Sequence, residues 1–163
     1  MPPFLHGMPI AMLSAKAVVV SQKNLMTDKV LGVLIRTFKS SLQAPIRIVS
    51  GFGAIEDGEF HLGVDIYMPR KTEVRCPSPG IIFDKRYDDE LGNYVVISHG
   101  EGLYTIYGHL ASYTDKDKGE HVAAGEVIGY SGITGLATDE ALHFAVLKDD
   151  LCLNPEILLS MVK

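Results

Sequence analysis

From residue 46 onward the apolar residues of this 163-residue chain recur with a period of two, and turn residues interrupt the pattern at short intervals. Alternation puts successive side chains on opposite faces, so each such segment is a strand with one face to bury. In "FHLGVDIY", Phe60, Leu62, Val64 and Ile66 oppose His61, Gly63, Asp65 and Tyr67. "GNYVVIS" and "LYTIYGHL" flank the turn "HGEG", which is a hairpin signal. "EVRCPSPGIIFDKRY" reads as strand, turn, strand, "GEHVAAGEVIGYSG" as another strand pair, and "ALHFAVL" as the last strong strand. Strand follows strand through turns supplied by 16 glycines and 8 prolines. A mainly β domain with an antiparallel core is the expected fold class.

One segment ahead of the strands keeps helical spacing. In "MTDKVLGVLIRTFKSSLQ", Thr27 can cap a helix whose stripe is Val30, Leu31, Leu34, Ile35, Phe38 and Leu42. Pro45 stops it. The division is therefore an N-terminal segment over 1–44, with an amphipathic helix over about 27–42, and a β domain over 45–163.

At 47% hydrophobic and 21% charged, the chain has enough apolar residues for one sizeable core. A net charge of −5 argues against a partner that is nucleic acid or an anionic membrane surface. No stretch is long and apolar enough to span a bilayer. "MPIAMLSAKAVVV" (8–20) holds a short apolar run and an Ala15-Lys16-Ala17 sequence, but it contains Pro9 and only His6 offers positive charge before it. It reads as a terminal strand rather than a clear secretory signal. Cys76 and Cys152 are too few for a disulfide scaffold and read as two separate buried thiols.

The polar faces of three segments carry histidine. His61 and Asp65 share one face of theirs. In "YTIYGHL", Thr105, Tyr107 and His109 lie opposite Tyr104, Ile106 and Leu110, and in "ALHFAVL" His143 lies opposite Leu142 and Phe144. If the strands are neighbours, these residues meet on one sheet surface. Two imidazoles and a carboxylate with one position open form the ligand set of a catalytic zinc site. Ordinary polar residues on a solvated sheet face would give the same pattern. A shared metal also sets a condition, because residues four apart on a straight strand are separated by roughly 13 Å. The chain must bend between His61 and Asp65, and Gly63 is the residue that permits it.

"HLGVD", "GNYVVISHGEGLYTIYGHL", "KGEHVAAGEVIGYSGITGLAT" and "LHFAV" with its following "NP" together resemble the lysostaphin-type (LytM-like) zinc endopeptidases. The resemblance runs from about Pro45 to Leu159, in order and spacing. It implies a small antiparallel, barrel-sandwich-like β domain with a groove over the sheet. It also implies cleavage of peptide cross-links or stems in bacterial peptidoglycan. The family's H-x-x-x-D motif falls on His61 and Asp65, and the second histidine of its H-x-H motif falls on His143. By resemblance these three bind Zn²⁺, and His109, from the Y-x-H-L stretch, is catalytic. The implied location is the bacterial cell envelope.

Two departures accompany the match. The first histidine of H-x-H, a catalytic position, is Ala141 here, and the arginine often found after the family's "FG" is absent from "SGFGAIEDGEF". Two functions follow. The chain is a zinc endopeptidase of reduced activity, or it is a catalytically inactive binding module that controls other cell-wall hydrolases or division proteins. A lipoyl- or biotinyl-type carrier, suggested by "CPSPGII" with "KGEHVAAGEVIG", lacks a modifiable lysine in the required hairpin context. His6, His99 and His121 read as structural, and alternation turns Glu140 away from the face of His143.

Overall fold

The computed structural model describes residues 47–54, 60–149 and 151–156. The helix expected over 27–42, the segment 8–20, His6 and the boundary at residue 45 lie outside those residues. Within them the chain forms twelve strands: β1 (Ile48–Ser50), β2 (Gly53–Ala54), β3 (Phe60–His61), β4 (Val64–Tyr67), β5 (Glu73–Arg75), β6 (Gly80–Asp88), β7 (Gly92–Gly100), β8 (Leu103–Tyr113), β9 (His121–Val122), β10 (Val127–Ser131), β11 (Ala141–Lys148) and β12 (Leu151–Leu153).

Ten of them form one antiparallel sheet in the order β1-β4-β11-β8-β7-β6-β9. β10 joins it through β5 and β8, and β12 through β11. β2 and β3 pair separately, with Gly53 opposite His61. The hairpin around "HGEG" is β7 and β8, paired from Asn93 opposite Leu110 to Gly100 opposite Leu103. Its tight turn is made by Gly100, Glu101 and Gly102, all at positive φ.

Two expected local pairings are not formed. β5 does not pair with β6 but with β10, and β9 pairs with β6 rather than with β10. Pro77 and Pro79 explain the first, since neither can donate a ladder hydrogen bond between the two segments. The Cys76 backbone instead exchanges bonds with Gly125 and Glu126, drawing β10 onto β5. These crossovers wrap the sheet on itself.

The sheet is also buried on both faces, not on one. One core cluster includes Val64, Ile66, Ile97, Tyr107, Leu110, Leu142, Phe144 and Val146. The other includes Leu62, Leu91, Val96, Ile106, Ala145 and Leu147. Burying each such aliphatic side chain contributes about 1.5–3 kcal/mol. His143 and His109 lie within this packing at 4% and 5% exposure, as polar groups let into an apolar floor rather than ordinary residues of a solvated face. Cys76 and Cys152 are both free and buried.

Candidate metal centre

β11 lies between β4 and β8, which is what gathers the polar residues. His143 stands directly opposite Asp65 on β4 and opposite Gly108 on β8. Directly opposed residues of an antiparallel pair project to the same side. Val64, Ile66, Leu142 and Phe144 take the other side into the core, leaving Asp65 and His143 together.

His61 reaches the same point because the chain breaks between β3 and β4 at Leu62 and Gly63. His61 Nε2 lies 3.5 Å from Asp65 Oδ1, far closer than a straight strand would allow. A Cβ on Gly63 would stand 2.5 Å from the Phe144 carbonyl oxygen and 2.9 Å from Cε1 and Nε2 of His143. Gly63→Ala should therefore lower zinc affinity by more than about tenfold and cost about 1–3 kcal/mol of stability through overpacking. The sequence leads one to expect metal binding to suffer more than folding, and the contact with the Phe144 backbone adds a direct cost to folding. Zinc titration and thermal unfolding of the variant measure both, and wild-type zinc affinity would show that this break tolerates a side chain.

His109 arrives by a different route. Asn93 and Val95 on β7 face Leu110 and Tyr107 on β8, so two steps on one strand oppose three on the other. The extra residue makes a bulge at Gly108–His109, and His109 takes φ 60°. Strict alternation had placed His109 with Thr105 and Tyr107, on a side away from Leu110. Tyr107 and Leu110 instead belong to one core cluster, and the slipped backbone turns the imidazole towards His143. The two rings are 5.7 Å apart, and His109 Nε2 is 3.6 Å from Asp65 Oδ1.

A left-handed non-glycine residue persists only where its surroundings hold it. The His109 amide donates to the Leu91 carbonyl at 2.6 Å, and its Nδ1 lies 2.8 Å from the Thr134 carbonyl oxygen. The Thr134 hydroxyl donates to the Leu110 carbonyl and accepts from the Asn93 amide. Gly92 and Gly135, both at positive φ, let these two loops meet where a Cβ on either would collide with the other's backbone.

Atoms of His61, Asp65 and His143 all lie within 4.8 Å of one another. Their separations are 3.3 Å from His61 Nε2 to His143 Nδ1, 3.0 Å from His143 Nδ1 to Asp65 Oδ1, and the 3.5 Å already given. Two ligand atoms about 2.0–2.2 Å from a tetrahedral ion stand about 3.3–3.6 Å apart. The triangle therefore has the size and the donor chemistry of three zinc ligands.

The tautomers agree with that use. A carbonyl oxygen accepts only, so the His61 Nδ1 proton goes to Gly51 at 2.8 Å and leaves the Nε2 lone pair facing inward. The Thr134 carbonyl fixes His109 in the same way, with Nε2 bare. Burial works against the Asp65 carboxylate, yet the three imidazoles that surround it, His109, His143 and His61, outweigh it and hold the group well below the usual carboxylate range. Burial also pushes the pKa of His143 down despite the pull of Asp65, which favours a neutral, ligating imidazole. At His61 the same burial effect is overcome by the nearby negative charge of Asp65, and its pKa rises.

The remaining polar candidates lie elsewhere. Glu140 pairs with Arg70 at 3.2 Å, outside the cluster. His99 spends both ring nitrogens on the Pro79 carbonyl and the Thr105 hydroxyl, and His121 is exposed on β9. Sequence reasoning passed over Thr134, which carries no signal beyond its place in a turn. It also passed over Tyr67, which alternation already put on the face of Asp65.

Comparisons with known proteins agree with the fold. Residues 59–155 match the family model described as Peptidase family M23. The DD-carboxypeptidase/endopeptidase Mpg of Neisseria meningitidis serogroup B is 34% identical over 114 residues, covering 67% of this chain and 26% of that protein. The chain thus matches about a quarter of that relative's length. The catalytic domain of the antimicrobial peptidase lysostaphin from Staphylococcus simulans superposes with a TM-score of 0.63 at 29% identity, covering 71% of this chain and 92% of that one. A zinc containing peptidase from Vibrio cholerae gives a TM-score of 0.62 at 30% identity, covering 69% and 36%.

Proposed function

This chain belongs to peptidase family M23, a family of hydrolases, and from that premise we propose that it is a zinc-dependent endopeptidase acting on peptide cross-links or stems of bacterial peptidoglycan, slowed by Ala141. The observation that carries the reading is the triangle of His61 Nε2, Asp65 Oδ1 and His143 Nδ1, whose sides of 3.0 to 3.5 Å suit one tetrahedral ion. These residues would hold Zn²⁺, which when bound acidifies a water molecule and polarises a peptide carbonyl.

The chain's own groups do the rest. The Thr134 carbonyl keeps the proton of His109 on Nδ1, so Nε2 presents a lone pair to the reaction space. It can take a proton from an attacking water. The buried Leu91, whose carbonyl accepts from the His109 amide, limits competing water around it. Peptidoglycan as substrate and the cell envelope as location follow from this activity. No helix among the described residues is long and apolar enough to cross a membrane.

A second reading has one observation behind it. Ala141 buries a methyl group where the family's H-x-H motif has a catalytic imidazole, so the domain would bind metal and wall peptide and regulate other hydrolases without cutting. Zinc analysis of the purified chain with release of soluble peptides from isolated sacculi separates the two. Zinc with cleavage supports the peptidase. Zinc without cleavage gives the regulatory module first place, and absence of zinc binding removes both forms of the metal reading.

A further inference from the structure

On β4 and β11 the direct partners alternate in kind. His143 faces Asp65, and two residues along, Ala141 faces Tyr67. The intervening Leu142 and Ile66 turn into the core, so Tyr67 and Ala141 stand on the same side as the candidate ligands. Ala141 is nearly fully buried, while Tyr67 is 38% exposed at the open end of that face. Gly132 makes an isolated bridge to Ala141 on its other flank. The row therefore reads phenol, methyl, glycine, beside a row of carboxylate, imidazole, glycine.

We propose that Tyr67 is a catalytic residue, whose hydroxyl donates a hydrogen bond to the oxyanion that develops on the scissile carbonyl, in place of the imidazole missing at Ala141. The inference rests on the peptidase reading. Residues two apart on a strand are separated by about 6–7 Å, a gap that a phenol side chain spans. Between Tyr67 and His143 on that side the chain carries only the methyl group of Ala141, where the family's motif has an imidazole. A phenol O–H donates without giving up its proton, so no proton changes owner in this step.

The Tyr67 backbone is tied down. Its amide donates to the Arg47 carbonyl at 2.8 Å, and the Arg47 guanidinium lies 5.3 Å from the ring centroid. A cation–π contact at an exposed ring is a modest attraction. Phenol at 67 and imidazole at 141 compete for the same space and serve the same charge, so their effects on rate should be coupled.

The test uses the zinc-loaded chain, its Tyr67→Phe variant, and both again with Ala141→His. It reads kcat and KM on sacculus-derived peptide, zinc content, and affinity for a phosphinic pseudopeptide whose tetrahedral phosphinate mimics the oxyanion. Tyr67→Phe should lower kcat by about 10²-fold, the effect of removing one oxyanion donor, with KM and zinc content little changed. Phosphinate affinity should fall in step, and with Ala141→His most of both losses should disappear. Unchanged kcat and phosphinate affinity in Tyr67→Phe would overturn the proposal, as would an equal loss with either residue at 141. If the zinc-loaded chain cleaves nothing, the peptidase reading fails and the phosphinate result alone decides Tyr67. Loss of phosphinate affinity on Tyr67→Phe then upholds its role, and unchanged affinity or no phosphinate binding ends it.

Discussion

Replacing His143 with alanine removes stoichiometric zinc while the sheet stays folded. His143 supplies the corner of the triangle closest to Asp65, at 3.0 Å, and the close group of donor atoms found among the described residues holds no imidazole besides His61 and His143. His109 is the nearest alternative, but its Nε2 is 3.6 Å from Asp65 and its backbone is fixed by the β8 bulge. Loss of a residue that merely supports a ligand costs about 10–100-fold in metal affinity, so loss of the ligand itself should exceed about 100-fold.

The folding cost of the same change is smaller but real. His143 is 4% exposed, and its removal leaves a space beside Gly63 and Gly108 and takes one hydrogen bond from Asp65. A destabilisation of about 1–3 kcal/mol is expected for that lost bond in a buried setting. His61 and His109 remain near the carboxylate, so its charge is not abandoned. Zinc measured after dialysis, beside far-ultraviolet circular dichroism, separates the two effects. His99→Ala is the control, because both ring nitrogens of His99 are engaged away from the cluster. Stoichiometric zinc in His143→Ala would remove the ligand assignment.

How much of this was legible in the sequence depends on how local each cause is. Alternation along "FHLGVDIY" correctly separates Val64 and Ile66, which are buried, from Asp65 and Tyr67, which are less so. The bend demanded between His61 and Asp65 is likewise local, and the strand does break at Leu62 and Gly63. Pairing is not local. "EVRCPSPGIIFDKRY" looks like a hairpin until the two prolines remove its ladder, and β5 then finds a partner some fifty residues away, Arg75 opposite Val127.

His109 shows the sharper failure. Counting by twos is valid only while the strand stays regular, and one inserted residue at Gly108–His109 reverses the side on which everything beyond it lies. A bulge leaves no alternation signal of its own, and a histidine at positive φ leaves no composition signal. The pairing of Ala141 with Tyr67 was hidden for a related reason. Each residue was visible on its own segment, but the register between β4 and β11 arises only from packing of Val64, Ile66, Leu142 and Phe144.

Restoring an imidazole with Ala141→His should raise turnover of wall peptide by about 10²-fold, the lower end of what a positioned acid or base contributes. Ala141 stands on the face of His143, two residues away on β11, so its Cβ is about 6–7 Å from that of His143. An imidazole there reaches the reaction space without taking a corner of the ligand triangle. It would give the leaving amine a proton donor on the side opposite His109, whose Nε2 is bare. Tyr67, directly opposite Ala141, is 38% exposed and can yield to the ring. Zinc content should not change, which separates a gain in chemistry from a gain in metal loading. His109→Ala in the same protein should erase most of the gain, since each imidazole handles a different proton of one reaction. A rate that stays at background with zinc bound would place the defect elsewhere in the groove. The domain would then be a wall-binding regulator, and its alanine a mark of that role rather than of a slowed enzyme.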